Sequence, residues 1–332
     1  MMARAKELIV GGAGNQGRLY KDLLSQQSDL VEKILVYDPN LRGDVNRSWI
    51  INKFPDDVTV FDIALITIPH SFHFEMTRHM LDLGKHVIKE KPLACSSEDA
   101  RSLINQTVEK RLSLFTTTQR PYTLMFKRLK DKVIPSDVHS FHYIYQKNFL
   151  YPDTGWRSLY KYCRGGVLLD MGYHIIDLLN RFFDLPVRVT ASFGYFFEEC
   201  KSENLEDTAL LTLDYGNCKG TVKISRHDYS KMESFNIVTH THSIQANTKE
   251  ITVRGRNGDE LIECLDDIER LVLVRMLKFF LQNISNQEFI RSELELHFKN
   301  VLLIDALYKS AKLHKWIELS ELLEGEKVKW KN

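Results

Sequence analysis

The stretch that most limits how this chain can fold is "ELIVGGAGNQGRLYKDLL", residues 7–24. A short apolar run meets Gly12, Gly14 and Gly17 in GxGxxG spacing, and an amphipathic helix pattern follows. A tight turn, close approach to a pyrophosphate and close helix–strand packing each require a missing side chain. The helix start then offers free N–H groups and the positive end of its dipole to phosphate, which places Asn15 and Gln16 beside the ligand. About 20 residues on, the run "KILVYD" ends in Asp38, where a carboxylate binds an adenosine ribose 2′-hydroxyl. That carboxylate repels a 2′-phosphate, so NAD is expected ahead of NADP, with Arg42 placed to soften the preference.

Short apolar runs then alternate with helical patterns through "DIALITIPH", "HFEMTRHMLDLG", "HVIKEKP", "SSEDARSLINQTVEKR" and "LSLFTTTQ". This alternation predicts an α/β unit over residues 1–120, with a doubly wound parallel sheet covered on both faces. Ser97, Glu98 and Asp99 are expected to open one of its helices. Ligands of such sheets bind at the carboxyl ends of the strands. Those ends are "TIPHSFH" (67–73), "KEKP" (89–92) and "TTTQRPY" (116–122). Lys91, restricted by Pro92, is a candidate to stabilise a developing alkoxide. His70 is expected to line the cofactor pocket and His73 to open the next helix. Their HxxH spacing lacks further ligands, so no metal site is expected. The "HTH" at 240–242, with two His on one face of a strand, reads as surface.

After Pro121 the alternation stops. Strand-like runs follow one another, with hairpin signals at "DYGN" and "GRNGD", and two long helices close the chain. Residues 121–332 are therefore expected to form an α+β domain on a mainly antiparallel, open-faced sheet, serving substrate binding and oligomerisation.

Inside it, "GGVLLDMGYHIIDLLNRFF" (165–183) places Asp170, His174, Asp177 and Arg181 on one stripe of a helix. On a regular wheel the arrangement is that of any amphipathic helix with a wetted face, and Arg181 is expected there. Gly165, Gly166 and Gly172 suggest close approach of a ligand to the helix start.

Composition narrows the remaining classes. With 45 Lys plus Arg against 44 Asp plus Glu, nothing in the charge balance calls for nucleic acid or an anionic membrane. The five scattered Cys (95, 163, 200, 218, 264) fit no disulfide framework, which points to reduced thiols in a cytoplasm. No apolar segment nears the roughly 18 residues needed to span a bilayer. A soluble cytoplasmic protein is expected.

In order along the chain, "GAGNQG", Asp38, "EKP" (90–92), "GWR" (155–157), "GGVLLDMGYHIIDLL" and "VLLIDALYKSAKLHKWIEL" resemble the Gfo/Idh/MocA family of glucose–fructose oxidoreductase, inositol dehydrogenase and rhizopine-catabolism proteins. The resemblance spans essentially the whole chain. It implies an NAD(P)-dependent oxidoreductase acting on a cyclic sugar, sugar derivative or inositol. It also implies a homodimer or homotetramer formed through the second domain's sheet. Lys91, Asp170 and His174 are the implied catalytic set. The implied cofactor contacts are Thr67, Pro69, His70, His73, Glu90, Lys91 and Arg157, together with the glycine turn and Asp38. His70 stands where the family often has Asn, and "TTTQRPY" only loosely matches the family segment, which leaves Arg120 without a firm role. An imidazole, with an ordinary pKa near 6.5, suits His174 as general base at neutral pH. Other readings are a non-catalytic NAD-binding sensor or co-repressor, and an NAD-dependent glycosidase of the same fold. Lys161, Arg164, Arg226 and His227 are possible anion contacts that read more simply as surface residues.

Overall fold

The computed structural model describes residues 5–38, 50–51, 53–149 and 155–323. The chain divides into two compact units.

The first unit is built on six strands: β1 (Ala5–Val10), β2 (Val31–Tyr37), β3 (Ile50–Ile51), β4 (Ile63–Ile66), β5 (His86–Glu90) and β6 (Leu114–Thr117). They pair in the order β3-β2-β1-β4-β5-β6, every neighbour parallel. This is the Rossmann order, with the switch point between β1 and β4. Leu8, Ile9 and Val10 of β1 and all of β4 are buried, as a parallel sheet covered on both faces demands. Helices α1 (Asn15–Leu24), α2 (His73–Asp82) and α3 (Ser97–Lys110) connect the strands. The α3 cap is Ser96 rather than Ser97: its hydroxyl accepts from the Asp99 N–H.

The chain first passes from one unit to the other at Thr118/Gln119, and the second unit is not one continuous segment. Glu269–Phe298 belongs to the first unit. Helix α4 (Leu124–Lys132), the short α5 (Tyr160–Cys163), α6 (Tyr173–Phe183) and α7 (Glu198–Ser202) lie in the second unit, before α8 (Glu269–Gln282). Helix α8 packs against α1, and its Phe280 stacks on Phe115 of β6 with ring centres 4.8 Å apart. Aromatic burial of this kind outweighs chain proximity. Helix α9 (Gln287–Leu313) gives its first turns to the first unit and the rest to the second; the short α10 is Leu319–Leu323.

The second unit holds nine strands: β7 (Val138–Asn148), β8 (Arg188–Gly194), β9 (Thr208–Asp214), β10 (Lys219–Ser225), β11 (His227–Thr239), β12 (His242–Ala246), β13 (Glu250–Gly255), β14 (Glu260–Cys264) and β15 (Ile317–Glu318). Their order is β14-β13-β12-β11-β7-β10-β9-β8-β15. All pairs are antiparallel except β7 with β10. Strand β7, which the hairpin pattern does not reveal, is the centre of this sheet. The hairpins at 214–219 and 255–260 fall where the turn residues predict.

Candidate active site

In the first unit the glycine turn is shaped by sterics. Gly11 adopts φ +78°. A Cβ on Gly12 would stand 2.2 Å from Val36 Cγ1, and one on Gly17 would stand 2.4 Å from Gly12 Cα. Gly14 differs: the nearest protein atom to its Cβ position is Gly11 O at 3.5 Å, and the residue is exposed. Protein packing does not demand a glycine there, whereas a pyrophosphate approaching the backbone does. Gly14 caps α1 without any side-chain hydrogen bond, and α1 has no acidic residue in its first turn. The first N–H groups of a helix lack intrahelical partners, so exposed Asn15 and Gln16 present an electropositive start. Thr67 closes the turn from β4: its hydroxyl is 3.0 Å from Val10 O and 3.2 Å from Gly11 O. Asp38, buried at the end of β2, accepts from the Ala13 N–H at 3.0 Å. Arg42 lies outside the described residues. These features fit a dinucleotide.

The next strand ends are knitted together. Pro69 precedes a 3₁₀ turn at His70–Phe72, and His70 is buried with its ring 5.6 Å from that of His73. His73 opens α2 as expected. Its ring is enclosed, with Nε2 donating to Ile68 O at 2.9 Å and Nδ1 3.4 Å from Pro92 O. Burial, with Lys89 and His70 alongside, holds its pKa well below the ordinary histidine range. Enclosed in this way, the His73 ring ties the end of β4 to the "EKP" loop. Glu90 accepts from the Tyr20 hydroxyl at 2.5 Å. Lys91 is buried beside Pro92, and the bond between them is cis. Lys89 was not singled out by sequence, yet it is fully buried, donates to Leu93 O at 2.5 Å, and has its pKa pushed down by burial to about 7.

In the second unit the 165–183 segment is not one regular helix. Leu168–Gly172 forms a π-helical turn leading into α6. Such turns use i→i+5 bonds and occur mostly as single-turn interruptions of α-helices, frequently at functional sites. Asp170 lies in this turn and His174 just after it. The buried Glu206 carboxylate accepts from the N–H groups of Gly166 (3.1 Å) and Leu168 (2.9 Å) and from Tyr308 (2.8 Å). The glycines at this helix start serve the protein itself: a Cβ on Gly166 would meet Glu206 O at 2.1 Å, one on Gly165 the Tyr308 hydroxyl, and one on Gly172 Ile224.

Asp170 keeps 18% side-chain exposure, and its Oδ2 faces two guanidiniums, Arg226 Nη2 at 3.3 Å and Arg157 Nε at 3.7 Å. Arg157 also lies over the Trp156 ring, 4.3 Å from its centre. Arg226, expected at the surface, is buried between β10 and β11. His227 beside it is stacked on Phe196 and stands 3.2 Å from Asp207 Oδ1.

Further along the stripe, Arg181 keeps 16% of its side chain exposed, but Asp177 is not wet. Asp177 is fully buried, accepting from Arg181 Nε (3.1 Å) and from Asn300 Nδ2 (2.9 Å); Asn180 in turn donates to Asn300 (2.8 Å). Polar side chains form an ordinary helical face whether they meet water or one another, so the wheel could not separate the two cases. Arg120 is likewise structural, paired with Glu233 at 2.8 Å and lying over Tyr145.

The glycine turn of the first unit fits a dinucleotide, and in the second unit an acid and an imidazole stand on the first turns of a helix. Residues 6–118 match the family profile described as "Oxidoreductase family, NAD-binding Rossmann fold", and residues 130–258 match the GFO/IDH/MocA C-terminal domain. The chain belongs to the Gfo/Idh/MocA family. It is 30% identical over 160 residues to scyllo-inositol 2-dehydrogenase (NADP(+)) IolW of Bacillus subtilis, covering 47% of this chain and 43% of that protein. It is 25% identical over 238 residues to myo-inositol 2-dehydrogenase of Thermotoga maritima, covering 68% and 70% respectively. The match therefore spans less than half the length of the first relative. Among solved structures, an inositol dehydrogenase homolog from Azotobacter vinelandii, complexed with NADH and myo-inositol, shares the fold. Its TM-score is 0.80 at 16% identity, covering 96% of this chain and 98% of that one.

Proposed function

We propose that this chain is an NAD-dependent oxidoreductase that moves a hydride between the nicotinamide and a secondary alcohol or ketone carbon of a cyclic sugar, sugar derivative or inositol. The observation that carries the reading is His174 following the π-helical turn that holds Asp170 beside two guanidiniums. The named activities of the inositol dehydrogenase relatives support the substrate class.

When bound, NAD supplies the hydride acceptor at nicotinamide C4. His174 takes the hydroxyl proton as the alcohol carbon loses its hydride, and the carbon–oxygen double bond forms. Asp170, held by Arg226 and Arg157, binds a neighbouring hydroxyl or orients the imidazole. Lys91 stabilises the oxygen while it carries negative charge. Gly12, Gly14, Asn15, Gln16 and Gly17 bind the pyrophosphate, and Asp38 binds the adenosine ribose. Thr67, Pro69, His70 and Glu90 shape the cofactor side, while Arg157 serves its carboxamide end. Asp38 favours NAD here, although the scyllo-inositol 2-dehydrogenase relative is named for NADP(+). The five free thiols support a reducing cytoplasm, and the second unit's sheet is the proposed surface for a homodimer or homotetramer.

The test is NADH production across a panel of inositols, polyols and cyclic sugars, with Lys91→Ala and His174→Ala alongside and NADH affinity measured separately. Turnover lost in both variants with affinity retained supports the reading. Turnover unchanged in both overturns the assignment, and stoichiometric NADH binding without turnover on any substrate overturns the activity.

A further inference from the structure

Away from the hydride chemistry, and independent of it, we propose that His139 and His240 form a bidentate site for Cu²⁺ or Ni²⁺ on the second unit's sheet. Strands β7 and β11 are antiparallel neighbours at the middle of that sheet. Ser140 faces Val238 and Val138 faces Thr239, so His139 has no partner in the ladder. It is the extra residue of a β-bulge, a device that re-aims a side chain. His240 is not on a strand face with His242, as the "HTH" pattern suggested. It begins the turn between β11 and β12. The Thr239 hydroxyl holds that turn: it donates to His242 O (2.9 Å) and accepts from the N–H groups of Thr241 (3.3 Å) and His242 (3.1 Å). Bulge and turn bring the two exposed imidazoles together.

His139 Nε2 and His240 Nδ1 are 2.8 Å apart, while the ring centres are 3.8 Å apart with planes at 69°. The nitrogens are closer than the rings, so the rings converge on the nitrogen side. A linear N–H···N bond of that length would hold the ring centres about 5 Å apart and a shared metal about 4.4 Å, so the rings sit nearer the metal-bound arrangement. With metal–nitrogen bonds of about 2.0–2.1 Å, the observed separation corresponds to a nitrogen–metal–nitrogen angle of about 85–90°. That is the cis angle of square-planar or tetragonal Cu²⁺ and Ni²⁺. Tetrahedral zinc needs its nitrogens about 3.3 Å apart. His242 is engaged elsewhere, its Nδ1 2.8 Å from the Thr241 hydroxyl. Among the described residues no group of three His, Cys, Asp or Glu is placed to hold a metal ion, so water or an outside donor completes the coordination.

The experiment uses untagged protein titrated with Cu²⁺ and with Ni²⁺, read by calorimetry and, for copper, by electron paramagnetic resonance. One tight equivalent per chain is expected, with the copper spectrum showing nitrogen coupling. His139→Gln and His240→Gln should each weaken it about tenfold or more, His242→Gln should leave it unchanged, and melting of the metal-free variants should match the parent. Absence of a stoichiometric site, or a site indifferent to both substitutions, overturns the proposal.

Discussion

The Asp38 carboxylate accepts a hydrogen bond from the Ala13 N–H at 3.0 Å, so the residue proposed to select the cofactor also braces the glycine turn. Asp38→Asn keeps an acceptor for Ala13 and removes the charge. NADH affinity should fall about 10- to 100-fold, the worth of a charge-assisted hydrogen bond, while NADPH affinity falls less or rises. Fluorescence titration of both cofactors checks this; an unchanged NADH-to-NADPH ratio would count against Asp38 as the discriminator.

Two glycines of one motif should fail in different ways. Gly12→Ala forces a methyl to 2.2 Å from Val36, and should cost about 1–3 kcal/mol in urea unfolding. Gly14→Ala meets no such obstacle inside the protein. It should leave stability within about 0.5 kcal/mol of the parent, as surface changes do, and weaken NADH binding. Equal destabilisation by both would mean that Gly14 also serves packing.

Asp177→Ala removes a buried carboxylate that accepts from both Arg181 and Asn300. Removing one member of a buried charged network costs about 3–5 kcal/mol, so chemical denaturation should show a loss of that size. A loss below about 1 kcal/mol would return Asp177 to the solvated stripe.

Two buried groups of the first unit should shape stability against pH. Glu7 on β1 is fully enclosed with neither carboxyl oxygen hydrogen-bonded, and burial raises its pKa from 4.5 to about 8. Its contribution is fully present below pH 4.5 and is lost as pH rises toward 8. Lys89 is depressed from 10.5 to about 7, so its contribution is fully present above 10.5 and is lost as pH falls toward 7. Together they predict a stability trough near pH 7–8. Each limb is worth a few kcal/mol, at about 1.4 kcal/mol per pH unit. Glu7→Leu should remove the acidic limb and Lys89→Met the alkaline one, both measurable as denaturation midpoints across pH. Parallel curves for parent and variants would refute this.

The Rossmann unit was readable because its signals are local. A strand, a GxGxxG turn and a helix start share one stretch of chain, and Asp38 ends the next strand. Lys89 was also within reach, since any residue inside a strand covered on both faces must be buried. Strand β7 was not, because its partners β10 and β11 lie far along the chain. The fate of Asp177 was hidden for the same reason: only Asn300, in a different helix, shows that the stripe's far half is interior. The π-helical turn beneath Asp170 was invisible to a wheel that assumes about 100° per residue throughout.

The stacking of Phe280 on Phe115 also sets an order of events during synthesis. Domains made early commonly fold while the ribosome is still at work. Here the Rossmann unit must wait with its β6 flank bare, because α8 emerges only after all but one strand of the larger sheet has been translated. A nascent chain halted near residue 120 therefore carries an exposed aromatic surface, and it is a natural client for a chaperone.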